Sequence, residues 1–207
     1  MKNSCVYFIL ALVSIFIIYL IFNEGAGENM RDSNFSVPGY SFCFPDDFLA
    51  QGDRSSDSGR SQAVLDIGYP EGGFVEEFGL SLRNGDSIRL LLSDQGVAPQ
   101  EAMDNVLKYR KSAQKVPGSN SEYIKYRVVA GATVDYYYFN NLSAFVSCIV
   151  GTNIDVVGNP MCRANFGQVL PGLFVSAIFS EKLLLEVEVI SEFIRNFMGS
   201  HMTEGAL

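Results

Sequence analysis

The stretch YIKYRVVAGATVDYYYFNNLSAFVSCIV, residues 123–150, decides the fold. It is rich in Val, Ile, Tyr and Phe, which favour β-strands, and it divides into three such segments, Tyr123–Val129, Thr133–Phe139 and Ala144–Val150. The dipeptides Ala130-Gly131 and Asn140-Asn141 separate the segments and are typical of turns. Because strands joined by short turns run in opposite directions, the stretch predicts an antiparallel meander.

The rest of the chain adds strands and two main helices. Further strands are predicted at Tyr40–Phe44, Ala63–Tyr69, Phe78–Arg83, Ile88–Leu92 and Leu173–Ser180. Asn84-Gly85 predicts a hairpin turn between the third and fourth of these. Helices are predicted at Pro99–Ala113 and Lys182–Met198, and the second has an apolar stripe formed by Leu184, Val187, Ile190, Ile194 and Phe197. Helices that pack on a hairpin-connected sheet make an α+β fold.

An unbroken apolar run, CVYFILALVSIFIIYLIF, occupies residues 5–22. As a helix its 18 residues rise roughly 27 Å, close to the thickness of the hydrocarbon core of a bilayer. The run is longer than the apolar centre of a signal peptide and is followed by poor cleavage sequences, so it predicts an uncleaved transmembrane helix, with a cleaved signal peptide as the alternative. Lys2 before the run favours a cytoplasmic N-terminus.

The predicted organisation follows from this anchor. It comprises a cytoplasmic N-terminus (1–4), a transmembrane anchor (5–22), a polar flexible tether (23–37), one α+β domain (38–198) and a disordered tail (199–207). In a Gram-negative bacterium the chain would be a single-pass inner-membrane protein with its domain in the periplasm. Gly199-Ser200-His201-Met202 matches a common expression-vector remnant, so the tail is native or foreign and carries no functional argument.

The formal charge of −8 restricts the partners. Nucleic acid requires a basic footprint, and an anionic lipid surface repels an acidic domain, so neither is expected to bind the domain. A basic protein would be attracted and steered by this field. The alternative is that the acidic surface serves solubility alone.

The cysteines predict a disulfide. Cys148 and Cys162 bracket a Gly/Asn/Pro-rich stretch, and closing a loop of about 15 residues contributes ~3 kcal/mol in an oxidising compartment. Cys43 then remains on a predicted strand. A bridge from Cys43 to either of the others stays open, because spacing does not determine connectivity.

Searches for catalytic and cofactor motifs find none in the sequence. The chain has one histidine, His201, so neither a Ser-His-Asp arrangement nor a His/Cys zinc set is available. Asp46-Asp47 favours a helix start over paired catalytic carboxylates, and residues 53–59 lack the register of a calcium loop. We therefore predict no cofactor, no metal and no enzyme activity.

The densest aromatic run, Tyr136-Tyr137-Tyr138-Phe139, is the candidate partner interface. Successive strand residues face opposite sides, so the run divides its rings between two surfaces. One pair can belong to the core. Tyrosine is a common interface anchor, so the other pair is covered either by a helix or by a protein partner.

The C-terminal third carries a resemblance to known proteins. It has a strand with Cys148, a loop with Pro160-Met161-Cys162, a strand at Phe174–Phe179 and a helix that ends in Phe193–Phe197. This arrangement resembles small single-span envelope proteins of Gram-negative bacteria, including the periplasmic immunity proteins that protect against secreted toxins such as type VI effectors. The resemblance implies a protein that inhibits a toxin by direct binding. The alternatives are an accessory or assembly subunit of a cell-envelope complex and, third, an enzyme.

Overall fold

The computed structural model describes residues 32–50, 62–117, 122–130, 132–152 and 160–203. These residues belong to one compact unit. The predicted anchor, 5–22, lies outside the described residues. No helix in the described ranges is both long enough and apolar enough to cross a membrane.

The described residues form two antiparallel sheets. The strands are β1 (Asp32–Val37), β2 (Tyr40–Pro45), β3 (Gln62–Gly68), β4 (Ser87–Ser93), β5 (Gln114–Lys115), β6 (Tyr123–Ala130), β7 (Ala132–Phe139), β8 (Ala144–Thr152), β9 (Met161–Leu170), β10 (Leu173–Ser180) and β11 (Met202–Thr203). The main sheet has eight strands in the order β3-β4-β10-β9-β8-β7-β6-β5, and the small sheet has the order β1-β2-β11. The predicted meander is β6-β7-β8, and the α+β class is confirmed.

Alternation along the strands gives the main sheet a buried inner face. Its fully buried members include Leu65, Ile67, Ile88, Leu90, Val146, Val175, Ala177 and Phe179. Helix α3 (Val187–His201), which follows a 3-10 segment at Glu181–Glu186, contributes to the same core. The predicted stripe of this helix is confirmed, since all five of its residues are at most 9% exposed. The small sheet joins this core through Phe44, whose ring stacks on Phe197 at 6.0 Å.

Two shorter helices, α1 (Phe78–Asn84) and α2 (Pro99–Tyr109), contact the opposite, outer face of the main sheet. The segment before α2 crosses this face closely: Asn165 Nδ2 donates to the Val97 carbonyl at 2.9 Å. A Cβ on Gly96 would lie 2.5 Å from the Phe174 ring, so only glycine permits this approach. Helix α2 then contacts β7, β8 and β9.

The predicted hairpin at Asn84-Gly85 is wrong, because Phe78–Asn84 is helical. Gly85 adopts φ +91° and its N–H bonds to the carbonyls of Ser81 and Leu82, which ends the helix. An Asn-Gly pair satisfies the left-handed position of a hairpin turn and of a helix C-terminus equally well. The described residues therefore contain three α-helices where the sequence predicted two main ones in the domain.

Other differences arise at segments that pair with distant parts of the chain. Residues 32–37, predicted as tether, form β1 on β2. Strand β9 begins in the predicted Pro160–Cys162 loop and continues through residues for which no strand was predicted. The predicted tail is also ordered at its start, because Gly199–His201 completes α3 and Met202–Thr203 pairs with β2. Helix α2 ends at Tyr109, before the predicted Ala113. Such pairings depend on partners that are remote in sequence, which local pattern does not contain.

Candidate protein-binding surfaces

The structure divides the aromatic run of β7 between the two faces of the main sheet. Tyr137 is 3% exposed and Phe139 is 7% exposed, and both belong to the core. Tyr136 and Tyr138 alternate with them and are half-buried on the outer face. The two faces of one strand thus separate a packing role for Tyr137 from a surface role for Tyr136 and Tyr138.

Neighbouring strands extend this surface. Tyr126 lies opposite Tyr136, and both Ile124 and Phe145 lie opposite Tyr138. Residues directly opposite in an antiparallel pair share a face, so all five side chains form one group, which we call the outer aromatic patch. The rings of Tyr136 and Phe145 stack with centroids 5.8 Å apart. Helix α2 contacts β7 and β8 on this same face, and each member of the patch keeps part of its surface in water.

A charged cluster lies on the inner face of β6 and β7, opposite this patch. Asp135 is 1% exposed, and Arg127 Nε and Nη2 donate to its two carboxylate oxygens at 2.6 and 2.8 Å. Lys125 Nζ lies 2.7 Å from Asp135 Oδ2 and 5.0 Å from the centre of the Tyr137 ring. The buried carboxylate is thus held by two cations, as a charge at such a position requires.

The cluster lowers the pKa of the Asp135 carboxyl and raises the pKa of the Lys125 ammonium. Burial, the largest influence on Asp135, raises the pKa of its carboxyl, but the hydrogen bonds from Arg127 and Lys125 outweigh it and hold the pKa below its usual value. Burial lowers the pKa of Lys125, and its hydrogen bonds to Asp135 and Tyr137 overcome this and raise it. All these shifts keep the ion pairs charged at neutral pH. The arrangement is that of a structural clamp between two strands, with no group poised to exchange a proton.

The Cys148–Cys162 disulfide is present and links β8 to β9, where the two residues lie directly opposite each other. Both residues are buried in the core. A bridge from Cys43 to either of them is therefore not formed. Cys43 lies half-buried on β2.

A second exposed surface lies on the 3-10 segment and the first turn of α3. Leu185 is 77% exposed and Val189 is 51% exposed, one helical turn apart. Glu188 and Glu192 follow them by three positions each, and Glu181 lines the same depression as Leu185. We call these five residues the acidic-apolar face. Glu186, on the same segment, is already engaged, because its carboxylate accepts a hydrogen bond from Tyr69 Oη at 3.0 Å.

The contact with Glu186 affects the pKa of its partner, Tyr69. Burial, followed by the hydrogen bond and the negative charge of Glu186, raises the pKa of Tyr69 to about 12. This tyrosine therefore stays neutral at physiological pH and continues to donate to the carboxylate.

A shallow depression of about 380 Å³ adjoins the acidic-apolar face. It is lined by Pro160, Ser180, Glu181, Lys182, Leu184 and Leu185. Two of these, Glu181 and Leu185, belong to the face itself. The lining thus combines three apolar side chains with one acidic and one basic side chain, which suits one side chain of a partner.

The described residues hold no group of three or more His, Cys, Asp or Glu side chains that could bind a metal ion. The predicted candidates for chemistry are dispersed: Asp46 and Asp47 form a 3-10 turn after Pro45, as their helix-start interpretation predicts. His201 packs its ring 4.3 Å from the centre of Phe197. The geometry offers surfaces for binding, and these surfaces are the candidate site.

Two features of the site were missed from the sequence although signals existed. Pairing the predicted strand ends Val129 and Thr133 places Arg127 opposite Asp135, as the register has it, so the charged cluster was readable from the hairpin. Leu185 and Val189 are apolar positions outside the predicted stripe of the last helix. Apolar residues off the buried stripe indicate an exposed apolar face.

Comparison with known proteins yields a structural match. No protein-family model matches the chain, and no curated protein matches it by sequence. Among solved structures, the chain is similar to an immunity protein of the Stenotrophomonas maltophilia type IV secretion system, with a TM-score of 0.58 and 10% sequence identity. The match covers 84% of this chain and 94% of that chain. At this identity it shows a shared fold.

Proposed function

We propose that this chain is an immunity-type protein that neutralises a secreted toxin by binding it directly. The observation that carries the proposal is the fold shared with an immunity protein over nearly the whole of both chains. Because a fold alone supports many functions, the surfaces must supply the rest of the argument.

The surfaces favour binding over catalysis. The outer aromatic patch presents tyrosines from paired strands, and tyrosine is enriched at protein interfaces because it offers a large amphipathic surface at low entropic cost. The buried charge of Asp135 is satisfied by Lys125 and Arg127, and the three residues hold strands together. An inhibitor that acts by surface complementarity needs no further chemistry.

The proposed location is the outer side of the bacterial inner membrane. The apolar run at 5–22 supports a single-pass anchor, and a disulfide at Cys148–Cys162 fits an oxidising compartment. In this position the domain would meet a toxin as it arrives in the periplasm. The proposal covers toxins delivered by contact-dependent secretion, whether by the type VI route that the sequence resemblance suggested or by a type IV route.

The test is protection of living cells. The full-length chain is co-expressed with the product of the adjacent reading frame, exported to the periplasm, and survival is counted with and without the chain. We expect survival only when the chain is present, and co-purification of the two proteins from detergent extracts. Tyr136→Ser/Tyr138→Ser should weaken protection while leaving the chain folded, because both side chains are half-exposed.

A different result would favour the alternative function. If the full-length chain crosslinks to a multiprotein envelope complex and does not change the survival of intoxicated cells, it is an accessory subunit. A membrane-fractionation experiment completes the test, since the proposal requires the full-length chain to resist alkaline extraction from inner membranes.

A further inference from the structure

Leu185 is the most exposed large apolar residue among those that the structure describes. Its neighbours Leu183, Leu184 and Val187 are buried, so the segment already has its core contacts and Leu185 contributes nothing to them. Val189 extends the exposed surface by one turn. Two adjacent apolar side chains held outward by a rigid, well-packed segment indicate a contact with something outside the domain.

The charges around these two residues have a single predominant sign. Glu188 follows Leu185 by three positions and Glu192 follows Val189 by three, so both lie beside the apolar pair. No salt bridge or hydrogen bond within the described chain engages either carboxylate. Two cations are close in sequence: Lys182, whose ammonium donates to the Asn84 carbonyl at 3.4 Å, and the exposed Arg195, three positions after Glu192. The rim of the face is thus acidic and available to an outside partner.

We propose that the acidic-apolar face is the docking surface for a basic segment of the toxin, which places one apolar side chain in the depression beside Leu185 and flanking lysine or arginine side chains against Glu188 and Glu192. This rests on the proposed function and specifies its partner. Charge complementarity selects the occupant. An anionic lipid surface and a second copy of this face would both be repelled, whereas a basic protein would be steered to it.

The arrangement is that of an interface hot spot, with an apolar centre and charged residues around it. A central apolar residue that becomes fully desolvated carries affinity, and the surrounding charges carry orientation and association rate. The depression of about 380 Å³ receives one side chain next to Leu185. We therefore expect Leu185 to govern the dissociation rate, and Glu188 and Glu192 to govern the association rate and its dependence on salt.

The experiment measures binding of the full-length chain, in a mild detergent, to the purified product of the adjacent reading frame by surface-immobilised kinetics. Leu185→Ser is expected to raise Kd about tenfold to a hundredfold, mainly through faster dissociation. Glu188→Lys/Glu192→Lys is expected to slow association about tenfold, and to remove most of the decline in association rate that added salt causes.

The control variants make the same types of substitution at exposed positions outside the acidic-apolar face. Phe74→Ser removes a large apolar side chain that is 58% exposed, and Glu101→Lys reverses an exposed charge on α2. Neither residue belongs to the acidic-apolar face, so neither should change Kd more than about twofold. Far-ultraviolet circular dichroism and urea unfolding verify that every variant folds. Because the replaced side chains are exposed, their loss leaves the core intact.

The outcomes separate the two levels of the proposal. If the unaltered chain binds and protects, while the Leu185 and Glu188/Glu192 variants bind as tightly as the controls, the docking surface is refuted and the proposed function stands. If the unaltered chain neither binds nor protects, the proposed function falls and the docking surface falls with it. Recovery of affinity when Glu188→Lys/Glu192→Lys is paired with a Lys→Glu change in the toxin would be the strongest support.

Discussion

Asp135 provides a direct test of how the meander is held together. Replacing it with alanine removes the acceptor of three charge-assisted bonds, at 2.6 and 2.8 Å from Arg127 and 2.7 Å from Lys125. The Asp135 side chain is 2% exposed, so the acceptor is shielded from water. Removing one member of a fully buried ion pair costs about 3–5 kcal/mol, because the remaining charge loses its partner.

The cost here is smaller because the cations reach water. The Arg127 side chain is 48% exposed, so water replaces its lost contact and we assign it no share of the loss. The Lys125 side chain is 20% exposed and recovers only part of its hydration. We therefore expect Asp135→Ala to lower the free energy of unfolding by about 2–3 kcal/mol. For a domain of this size, the melting temperature would fall by about 4–12 °C.

The assay is urea unfolding of the full-length chain in detergent, followed by circular dichroism. Asp66→Ala is the matched control, because Asp66 also forms two bonds to an arginine, at 2.6 and 2.8 Å from Arg89, but is more exposed, at 13%. Its expected loss is about 1 kcal/mol at most. Equal losses in the two variants would refute the argument that burial makes the Asp135 cluster the stronger clamp.

The same cluster predicts the acid sensitivity of the protein. Since the folded pKa of Asp135 lies below its unfolded value of about 3.9, the unfolded chain takes up the proton first as the pH falls. The contribution of Asp135 is complete above that unfolded value and is lost as the pH falls through the folded pKa. The free energy of unfolding should therefore decline more steeply below about pH 5 in the unaltered chain than in Asp135→Asn. Identical slopes in a pH series of urea titrations would contradict this.

Three further changes are tested by the same unfolding measurement. Gly85→Ala should lower the free energy of unfolding by about 1 kcal/mol, because Gly85 has φ +91°. The control Gly79→Ala, inside α1 with open space around it, should be neutral or stabilising. Equal effects would disprove the role of the left-handed backbone. Ser87→Ala should leave stability unchanged or raise it, because the Ser87 hydroxyl is buried without a hydrogen-bond partner in the described structure; a loss above about 1 kcal/mol would show a missed partner. Replacing Cys148 and Cys162 by serine should cost about 3 kcal/mol, and an unchanged urea midpoint would reject the loop-closure argument.

The parts of the fold that were predictable are those specified by local pattern. The meander followed from β-branched and aromatic segments divided by short turns, and the stripe of the last helix followed from its three- and four-residue spacing. The Cys148–Cys162 pair also followed from a short loop between them. In each case the interacting residues lie close together in sequence, so the pattern contains both partners.

The sequence prediction fails where one local sequence signal is compatible with two different structures. Asn84-Gly85 permits a left-handed residue in either a hairpin or a helix end, and only the packing of α1 near β4 and β10 selects the helix. For the three tyrosines named as the candidate interface, the sequence predicted a division between two surfaces but not which ring is buried. The structure places Tyr137 in the core and Tyr136 and Tyr138 on the outer face.

The sequence by itself determined the acidic charge, the apolar run at 5–22, the meander and the buried stripe of the last helix, because these depend on composition and short-range periodicity. Only the tertiary structure decided that residues 32–37 and 202–203 become strands on β2, and that Leu185 remains uncovered. Strand pairing and exposure are properties of surfaces brought together from distant parts of the chain. Their free energy is set by the partner, which no local stretch of sequence contains.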